Sequence, residues 1–251
     1  MFPIHDENPT LRRPVITLSL ILVTTLVWFF LQGAGSERAL AASICSYGLI
    51  PAEVVGSPDL KLVPLGPHLA CQIEPGDAWH TAISSMFMHG GWFHLIGNMW
   101  FLWIFGNNVE DSMGRLRFLV FYVCCGLGAA FAQVLIDPLS IVPMVGASGA
   151  IGGVMGAYVI LYPRVPVTLL VFLGFFVTTI QIPAYLMLGY WFALQLLGGL
   201  PQLGGSDGGV AFWAHVGGFV SGAVLIFAFR DRGLVDEHRR ILRRLERQRS
   251  A

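Results

Sequence analysis

The sequence predicts an all-α membrane protein with six transmembrane helices. Of its 251 residues, 55% are hydrophobic and only 12% are charged. A soluble domain usually carries about 25% charged residues, so this chain has too little polar surface to dissolve as a globule of its size. The apolar residues also occur in long runs, and a helix needs about 20 of them to cross the hydrocarbon.

Six such runs predict the six helices. They cover residues 14–32, 93–109, 116–136, 146–163, 165–198 and 210–229. The fifth run is interrupted by Gln181 and Pro183. We therefore expect either one long kinked helix or a helix with an irregular piece, because proline removes a backbone donor. The first run is long for the apolar part of a signal peptide, so we expect it to be retained as a span.

The basic residues predict the orientation in the membrane. Apart from Arg38 and Lys61, all of them precede the first run, follow the sixth, or lie in the connections after the second and fourth runs. The positive-inside rule places these segments and both termini in the cytoplasm. We expect a cytoplasmic N-terminal segment (1–13), a membrane domain (14–230) and a basic cytoplasmic tail (231–251). The expected location is multi-pass in the bacterial cytoplasmic (inner) membrane.

Two features outside the runs leave alternatives open. Cys45 and Cys71 both lie in the first connection, which faces an oxidising compartment in bacteria, so a disulfide there is about as favoured as two free thiols. The tail is either a short basic amphipathic helix on the inner leaflet or a solvated charged tail. The helical interpretation places four residues on one face: Leu234, His238, Ile241 and Leu245.

Polar side chains within apolar runs are costly and therefore indicate function. Four stand out: His94 and Asn98 in the second run, Ser148 in the fourth and His215 in the sixth. All three runs are predicted to cross from outside to inside, and each of these residues lies near the start of its run. The topology therefore predicts that they lie at a similar depth and share one polar site.

Ser148 and His215 are candidates for a nucleophile and its base. A serine among glycines is by itself more typical of helix packing. However, Ala214, Gly218 and Gly222 form a stripe of small residues beside His215. Matching stripes on the fourth run consist of Ser148, Gly149, Gly152, Gly153 and Gly156. Two such helices can pack with close backbones, which would bring the His215 imidazole towards the Ser148 hydroxyl.

His94 and Asn98 are spaced i, i+4, so they share one helix face. Both can donate hydrogen bonds to an oxyanion, as can the backbone N–H of Ser148. His89 is placed to support this site from the preceding loop. The alternative interpretation is that His94 and Asn98 only bond neighbouring helices. No Asp or Glu lies at the same depth, so a hydrolase here would use a Ser–His dyad without an acid.

This ordered set of motifs resembles the rhomboid family of intramembrane serine proteases. The six-span layout, the long first outer loop and Glu110 after the second span are similar as well, and the resemblance covers about residues 14–230. The residues that carry it are Gly146-Ala147-Ser148-Gly149 for the family's G-x-S-G, Ala214-His215 in the last helix, and His89 with His94-x-x-x-Asn98 in the second.

The resemblance implies a rhomboid-like bundle with Ser148 as nucleophile and His215 as general base. It implies His94, Asn98 and the Ser148 backbone N–H as the oxyanion site, with Gly146 beside them. The implied partners are single-span membrane protein substrates, cut in or near the outer half of the bilayer, and the lipid bilayer itself. We expect no nucleic acid, no metal and no cofactor, since no Cys and His set has metal-ligand spacing.

The chain departs from the family pattern at two places. Many relatives have Trp-Arg where this chain has Trp79-His80, and some carry an aromatic residue at the position of Gly152 that packs on the histidine. A rhomboid-like protein that binds membrane clients without cutting them is one alternative, although it has no need of both Ser148 and His215. A transporter or channel is another, but it should show charged groups or an inverted repeat at the midplane.

Overall fold

The computed structural model describes residues 2–56, 62–64, 70–72, 78–174, 176–204 and 209–249. Lys61 and the side chain of Leu245 lie outside this description. One helix lies in each of the six predicted apolar runs, and further helices lie in the first connection and the tail. In chain order the helices are α1 (Val15–Phe30), α2 (Glu37–Tyr47), α3 (Pro51–Val54), α4 (Thr81–Ser84), α5 (Trp92–Met113), α6 (Arg115–Ile136), α7 (Ser148–Leu161), α8 (Ala184–Gly199), α9 (Phe212–Phe229) and α10 (Arg232–Arg249).

The helices differ in how well they suit a membrane. Within the described residues, two helices, α6 and α9, are long and apolar enough to cross a bilayer by length and composition alone. The helices α1 and α7 are apolar but shorter. The number of spans and the cytoplasmic position of the termini therefore stay predictions.

The fold is mostly helical, as predicted, but the prediction of an all-α fold needs correction because the chain also forms strands. The strands are β1 (Phe2–Asp6), β2 (Leu62–Pro64), β3 (Ala70–Gln72), β4 (Pro166–Leu173) and β5 (Phe176–Pro183). Three of the strands form an antiparallel sheet in the order β1-β4-β5. The other two, β2 and β3, form a separate antiparallel pair. The fifth apolar run is therefore a β-hairpin followed by a 16-residue helix, α8.

The hairpin follows from its residue types. Val167, Leu169 and Val171 are buried on one side of β4, so burial alternates with the period of two that a strand imposes. Valine, threonine, isoleucine and phenylalanine fill both strands, and such residues favour extended backbone. Gly174, with φ +64°, provides the turn. An apolar run of this kind does not by itself distinguish a strand from a buried helix.

The bundle is organised around the contact between α7 and α9. A methyl group added to Gly218 would overlap the carbonyl oxygen of Gly149, and one added to Gly222 would overlap that of Gly153. The two predicted stripes of small residues therefore do face each other with their backbones in contact. Without a hydrophobic force between helices in lipid, such close van der Waals packing is what stabilises their association.

The end of the bundle that carries both chain termini, here called the terminal end, is fixed by buried carboxylates. Glu110 accepts hydrogen bonds from the backbone N–H of Ile16 (3.0 Å) and from the backbone N–H and hydroxyl of Thr17 (2.8 and 2.9 Å). It thereby caps the first turn of α1, which has no side-chain cap of its own. Asp111 accepts from the N–H groups of Leu11 and Arg12 at 2.6 and 3.1 Å.

The N-terminal segment also connects the bundle to the tail. Tyr158 of α7 donates to the buried carboxyl of Asp6 at 2.5 Å, and Asn8 bonds both Tyr158 (3.3 Å) and His238 of α10 (2.8 Å). Val235 and His238 form the buried face of α10. The tail is thus a docked helix with exposed arginines, and its contact with a leaflet stays a prediction. The exposed arginines are Arg232, Arg239, Arg240, Arg243, Arg244 and Arg247.

The structure decides the open question of the two cysteines in the first connection. Cys45 and Cys71 form a disulfide with a Cα–Cα distance of 5.3 Å, which joins α2 to β3. This distance lies within the range that an unstrained bridge allows.

The contact between α7 and α9 predicts that Gly222→Ala destabilises the protein. The new methyl group would meet backbone, which cannot move aside, and overpacking costs typically about 1–3 kcal/mol. We expect the apparent Tm in detergent, followed by tryptophan fluorescence, to fall by roughly 5–10 °C. The matched control is Gly189→Ala on α8, where an added Cβ meets nothing within 4 Å. Equal melting temperatures for the two variants would contradict this account of the helix contact.

The Asp6 carboxyl predicts a pH-dependent stability. Burial raises the pKa of Asp6 from 3.8 to about 7, although the hydrogen bond from Tyr158 lowers it. Between about pH 4 and pH 7 the folded protein therefore keeps a proton on Asp6 that the unfolded chain releases. The stability that the protonated carboxyl contributes is full below about pH 4 and is lost as the pH rises to about 7. Asp6→Asn keeps an acceptor for Tyr158 without a charge. We therefore expect the Tm of the variant to rise relative to that of the wild type as the pH increases from 5 to 8. A pH-independent difference in Tm between the two proteins would contradict the shifted carboxyl.

Candidate active site

The structure brings Ser148 and His215 into contact. Ser148 is the first residue of α7, and His215 lies in the first turn of α9. Because the glycines let these helices touch, His215 Nε2 and Ser148 Oγ are 2.7 Å apart. This is hydrogen-bond distance, and it is the geometry that a serine nucleophile and its base require.

The other nitrogen of the same imidazole has a partner that the sequence analysis missed. His215 Nδ1 lies 2.8 Å from Oε1 of Gln195, a residue of α8. The Gln195 Nε2 group donates to the backbone carbonyl of Trp191 at 3.2 Å. A buried amide within an apolar run was the available signal, since polar groups in such runs are costly.

Trp191 supplies the aromatic neighbour that the chain lacks at Gly152. Its ring centroid is 5.9 Å from that of His215, and the two planes are inclined by 39°. A Cβ added to Gly152 would lie 3.6 Å from the Trp191 ring and 3.1 Å from the His215 carbonyl oxygen. The absence of a side chain at Gly152 thus leaves room for an aromatic ring from α8.

His94 lies beside Gly146, two residues before Ser148. The backbone N–H of Gly90 donates to His94 Nδ1 at 3.3 Å, so a neutral His94 carries its proton on Nε2. A Cβ added to Gly146 would lie 2.7 Å from that Nε2 and 3.5 Å from Ser148 Oγ. Gly146 has φ +124°, which favours glycine. The donor Nε2–H therefore lies beside the space that the missing side chain of Gly146 leaves open.

The two remaining predicted residues are buried on or near the same helix. Asn98 lies one turn after His94, and its Nδ2 has no hydrogen-bond partner within the described part of the chain. His89 packs edge-on against the His94 ring at a centroid distance of 5.0 Å. The amide of Gln32 bonds the backbone N–H and carbonyl of His89 at 2.9 and 2.8 Å. This clamp at the end of α1 fixes His89 and, through it, the ring of His94.

A cavity of about 340 Å³ connects these groups. Its volume lies at the lower end of the range for ligand sites. Ser148, His215, His94 and Gly146 line it, together with polar side chains such as Gln133. Asn98 is not among the described residues on the cavity wall. Within the described ranges, no group of three or more His, Cys, Asp or Glu side chains is arranged to hold a metal ion.

A comparison with known families decides the chain's relationship. The family model of the Rhomboid domain matches residues 76–232, which is more than half of the chain and includes every predicted site residue. The chain belongs to the rhomboid family. Rhomboid family members are integral membrane proteins, so this chain is one as well.

Several rhomboid relatives share parts of this sequence. It is 39% identical to "RHOMBOID-like protein 5" of Arabidopsis thaliana over 85 residues, which cover 34% of this chain and 27% of that protein. It is 33% identical to "Rhomboid protease GluP" of Bacillus subtilis (strain 168) over 158 residues, or 62% of this chain and 29% of the relative. It is 30% identical to "Putative rhomboid protease YdcA" of the same bacterium over 145 residues, which cover 58% of this chain and 61% of that protein. The chain thus spans less than two thirds of the length of each of these rhomboid relatives, which come from plants and bacteria.

Proposed function

We propose that the chain is an intramembrane serine endopeptidase that cleaves single-span membrane proteins through a Ser148–His215 dyad. The observation that carries this proposal is the 2.7 Å contact between His215 Nε2 and Ser148 Oγ on the wall of a cavity. A hydroxyl at this distance can give its proton to the imidazole as it attacks a carbonyl. Membership of the rhomboid family and the names of the two Bacillus relatives support the same reaction.

The dyad accounts for both halves of peptide hydrolysis. His215 Nε2 takes the proton of Ser148 while Oγ bonds to the scissile carbonyl carbon. The imidazolium then gives this proton to the leaving amine nitrogen, the C–N bond breaks, and an acyl-enzyme remains. Water from the cavity next gives a proton to His215 and attacks the ester carbonyl. When the acid product leaves, the proton returns to Ser148.

The carbonyl oxygen becomes negative in both steps and needs donors. His94 Nε2–H is one, because Gly90 occupies the other ring nitrogen. The unbonded N–H groups at the start of α7 are a second source. Gly146 leaves the space beside them open. Asn98 is the third proposed donor, since its buried Nδ2 would gain a partner when an oxyanion or substrate carbonyl is bound.

The length of α7 supports cleavage within the membrane. This helix has 14 residues and is therefore about 21 Å long, whereas the hydrocarbon is about 30 Å thick. If its last residue lies at one membrane surface, Ser148 at its start lies well below the other. The distribution of basic residues favours an outer position for that other surface, which supports a cut in or near the outer half of the bilayer. The proposed setting is a bacterial cytoplasmic membrane, with the bilayer and single-span substrates as partners.

The dyad predicts selective covalent labelling. Purified wild-type protein should react with a serine-directed fluorophosphonate probe and cleave a single-span substrate in detergent or liposomes. Ser148→Ala and His215→Ala should lose both activities by more than about 10³-fold, since each removes a member of the reacting pair. Ser19→Ala is the matched control, because that serine lies on the exposed face of α1 and its hydroxyl bonds the Val15 carbonyl of its own helix.

Two outcomes of this experiment would count against the proposal. Labelling that persists in Ser148→Ala would place the reactive serine elsewhere. An unlabelled, well-folded wild type would favour a protein that binds membrane clients without cutting them.

The oxyanion site predicts a milder effect for Asn98→Ala. Removing one such donor in other hydrolases costs about 10²–10³-fold in kcat. We expect Asn98→Ala to lie at or below the lower end of this range, because His94 and the backbone donors remain. The measurement is kcat on the same substrate, with Tm as a check of folding. A complete loss equal to that of Ser148→Ala would show that Asn98 has another role, such as holding helices together.

A further inference from the structure

We propose that Gln195 is a positioning residue that fixes the tautomer of His215, as the carboxylate does in a Ser–His–Asp triad. This inference rests on the proposed function, because it assigns a role to Gln195 within the same site. The contact itself was not expected from the sequence, in which no acidic residue lies at the depth of His215. The neutral amide of Gln195 occupies the place that an acid would take.

The orientation of the Gln195 amide follows from its second partner. One end of the amide lies 3.2 Å from the backbone carbonyl oxygen of Trp191, which can only accept a hydrogen bond. The end that faces Trp191 must therefore be the NH₂ group. The amide oxygen is thereby turned towards His215 Nδ1, at 2.8 Å.

The protonation of the imidazole follows in turn. An amide oxygen can only accept, so His215 Nδ1 must carry the proton of the neutral ring. His215 Nε2 then carries the lone pair, and it is this atom that lies 2.7 Å from Ser148 Oγ. This is the tautomer that a general base requires. The other tautomer would make His215 Nε2 a donor to Ser148 Oγ, so that it could not accept the serine proton, and would leave the Gln195 oxygen facing the Nδ1 lone pair.

The same helix also restrains the imidazole ring by packing. Trp191, one turn before Gln195, lies against His215 and also contacts Phe219 at a centroid distance of 6.1 Å. Gln195 is only 9% exposed, so water competes little for its amide. Helix α8 thus holds the imidazole by a hydrogen bond and by a ring contact at once.

A neutral partner suits the surroundings of this site. An ionised carboxylate beside His215 would be a buried charge within an apolar span, which is costly unless it is paired. Within the described residues, no carboxylate is hydrogen-bonded to His215. When Nε2 takes up the Ser148 proton, the Nδ1–H bond to Gln195 persists. Nε2 therefore remains the site from which the proton is passed to the leaving group.

The first test is kinetic. Gln195→Leu removes the acceptor at similar volume, and we expect kcat and the fluorophosphonate labelling rate to fall about 10- to 100-fold, as when other partners that orient a functional histidine are removed. KM should change less than about threefold, because Gln195 is not among the described residues that line the cavity. Gln195→Glu restores an acceptor, and its rate should recover towards the wild-type value as pH rises and the new carboxyl ionises. The matched control is Gln181→Leu on the exposed strand β5, which should leave the rate unchanged.

The second test reads the tautomer directly and does not depend on activity. In protein labelled with ¹⁵N-histidine, the His215 signal is identified by its loss in His215→Ala. We expect the Nδ1–H form in the wild type and a mixture of both forms in Gln195→Leu. A wild-type Nε2–H form, or a Gln195→Leu variant with unchanged rate, would overturn the inference. A wild type that shows the Nδ1–H form but neither labels nor cleaves would instead contradict the proposed function.

Discussion

The backbone contact between α7 and α9 is the constraint on which the rest of the structure depends. Carbonyl oxygens of Gly149 and Gly153 occupy the space that side chains at Gly218 and Gly222 would need. This contact brings Ser148, at the start of α7, close to His215, in the first turn of α9. A separation greater by one methyl group would open the 2.7 Å contact between the two side chains. Packing between the helices thus brings Ser148 and His215 together without relying on the hydrogen bond between them, which leaves that bond free to change during a reaction.

Buried carboxylates that accept hydrogen bonds lie at the terminal end of the bundle, away from the cavity. Glu110 and Asp111 accept hydrogen bonds from backbone N–H and hydroxyl groups of the N-terminal region and α1 at 3.1 Å or less. Asp6 lies beneath Tyr158 at the same end. Charged groups are less costly there than in the middle of the bundle, because helix ends and water are within reach. This arrangement fixes the terminal end of α7 while its other end carries Ser148.

Around Ser148, by contrast, the chain uses neutral polar groups. The polar groups there are uncharged donors or acceptors in their neutral forms: His94, Asn98, Gln195 and His215. In both His94 and His215 the Nδ1 atom is hydrogen-bonded to a neighbouring group. Neutral dipoles cost less to bury than ions, and once they are fixed by hydrogen bonds they need little reorganisation as charge develops. The proposed oxyanion site and the proposed tautomer of His215 both depend on the same device. In each case a backbone group bonds one end of a side chain and so determines the other: the Gly90 N–H leaves His94 Nε2 as the donor, and the Trp191 carbonyl turns the Gln195 oxygen towards His215.

The sequence by itself determined that a helix lies in each of the six apolar runs and that Ser148, His215 and His94 belong to one site. Long apolar runs specify helices by length, and residues at equivalent positions in runs of the same direction must lie at equivalent depth, so Ser148, His215 and His94 could be grouped from the order of the runs alone. Only the tertiary structure decided the rest. The hairpin in residues 166–183 was missed because an apolar run fits a strand or a helix, and its pairing with β1 joins residues more than 150 positions apart. To predict the Cys45–Cys71 bridge one must know the Cα separation of the two cysteines. To predict the contact of Gln195 with His215 one must know how α8 is rotated about its axis. Helix rotation and strand pairing depend on contacts between distant segments, and a pattern along one chain does not contain those distances.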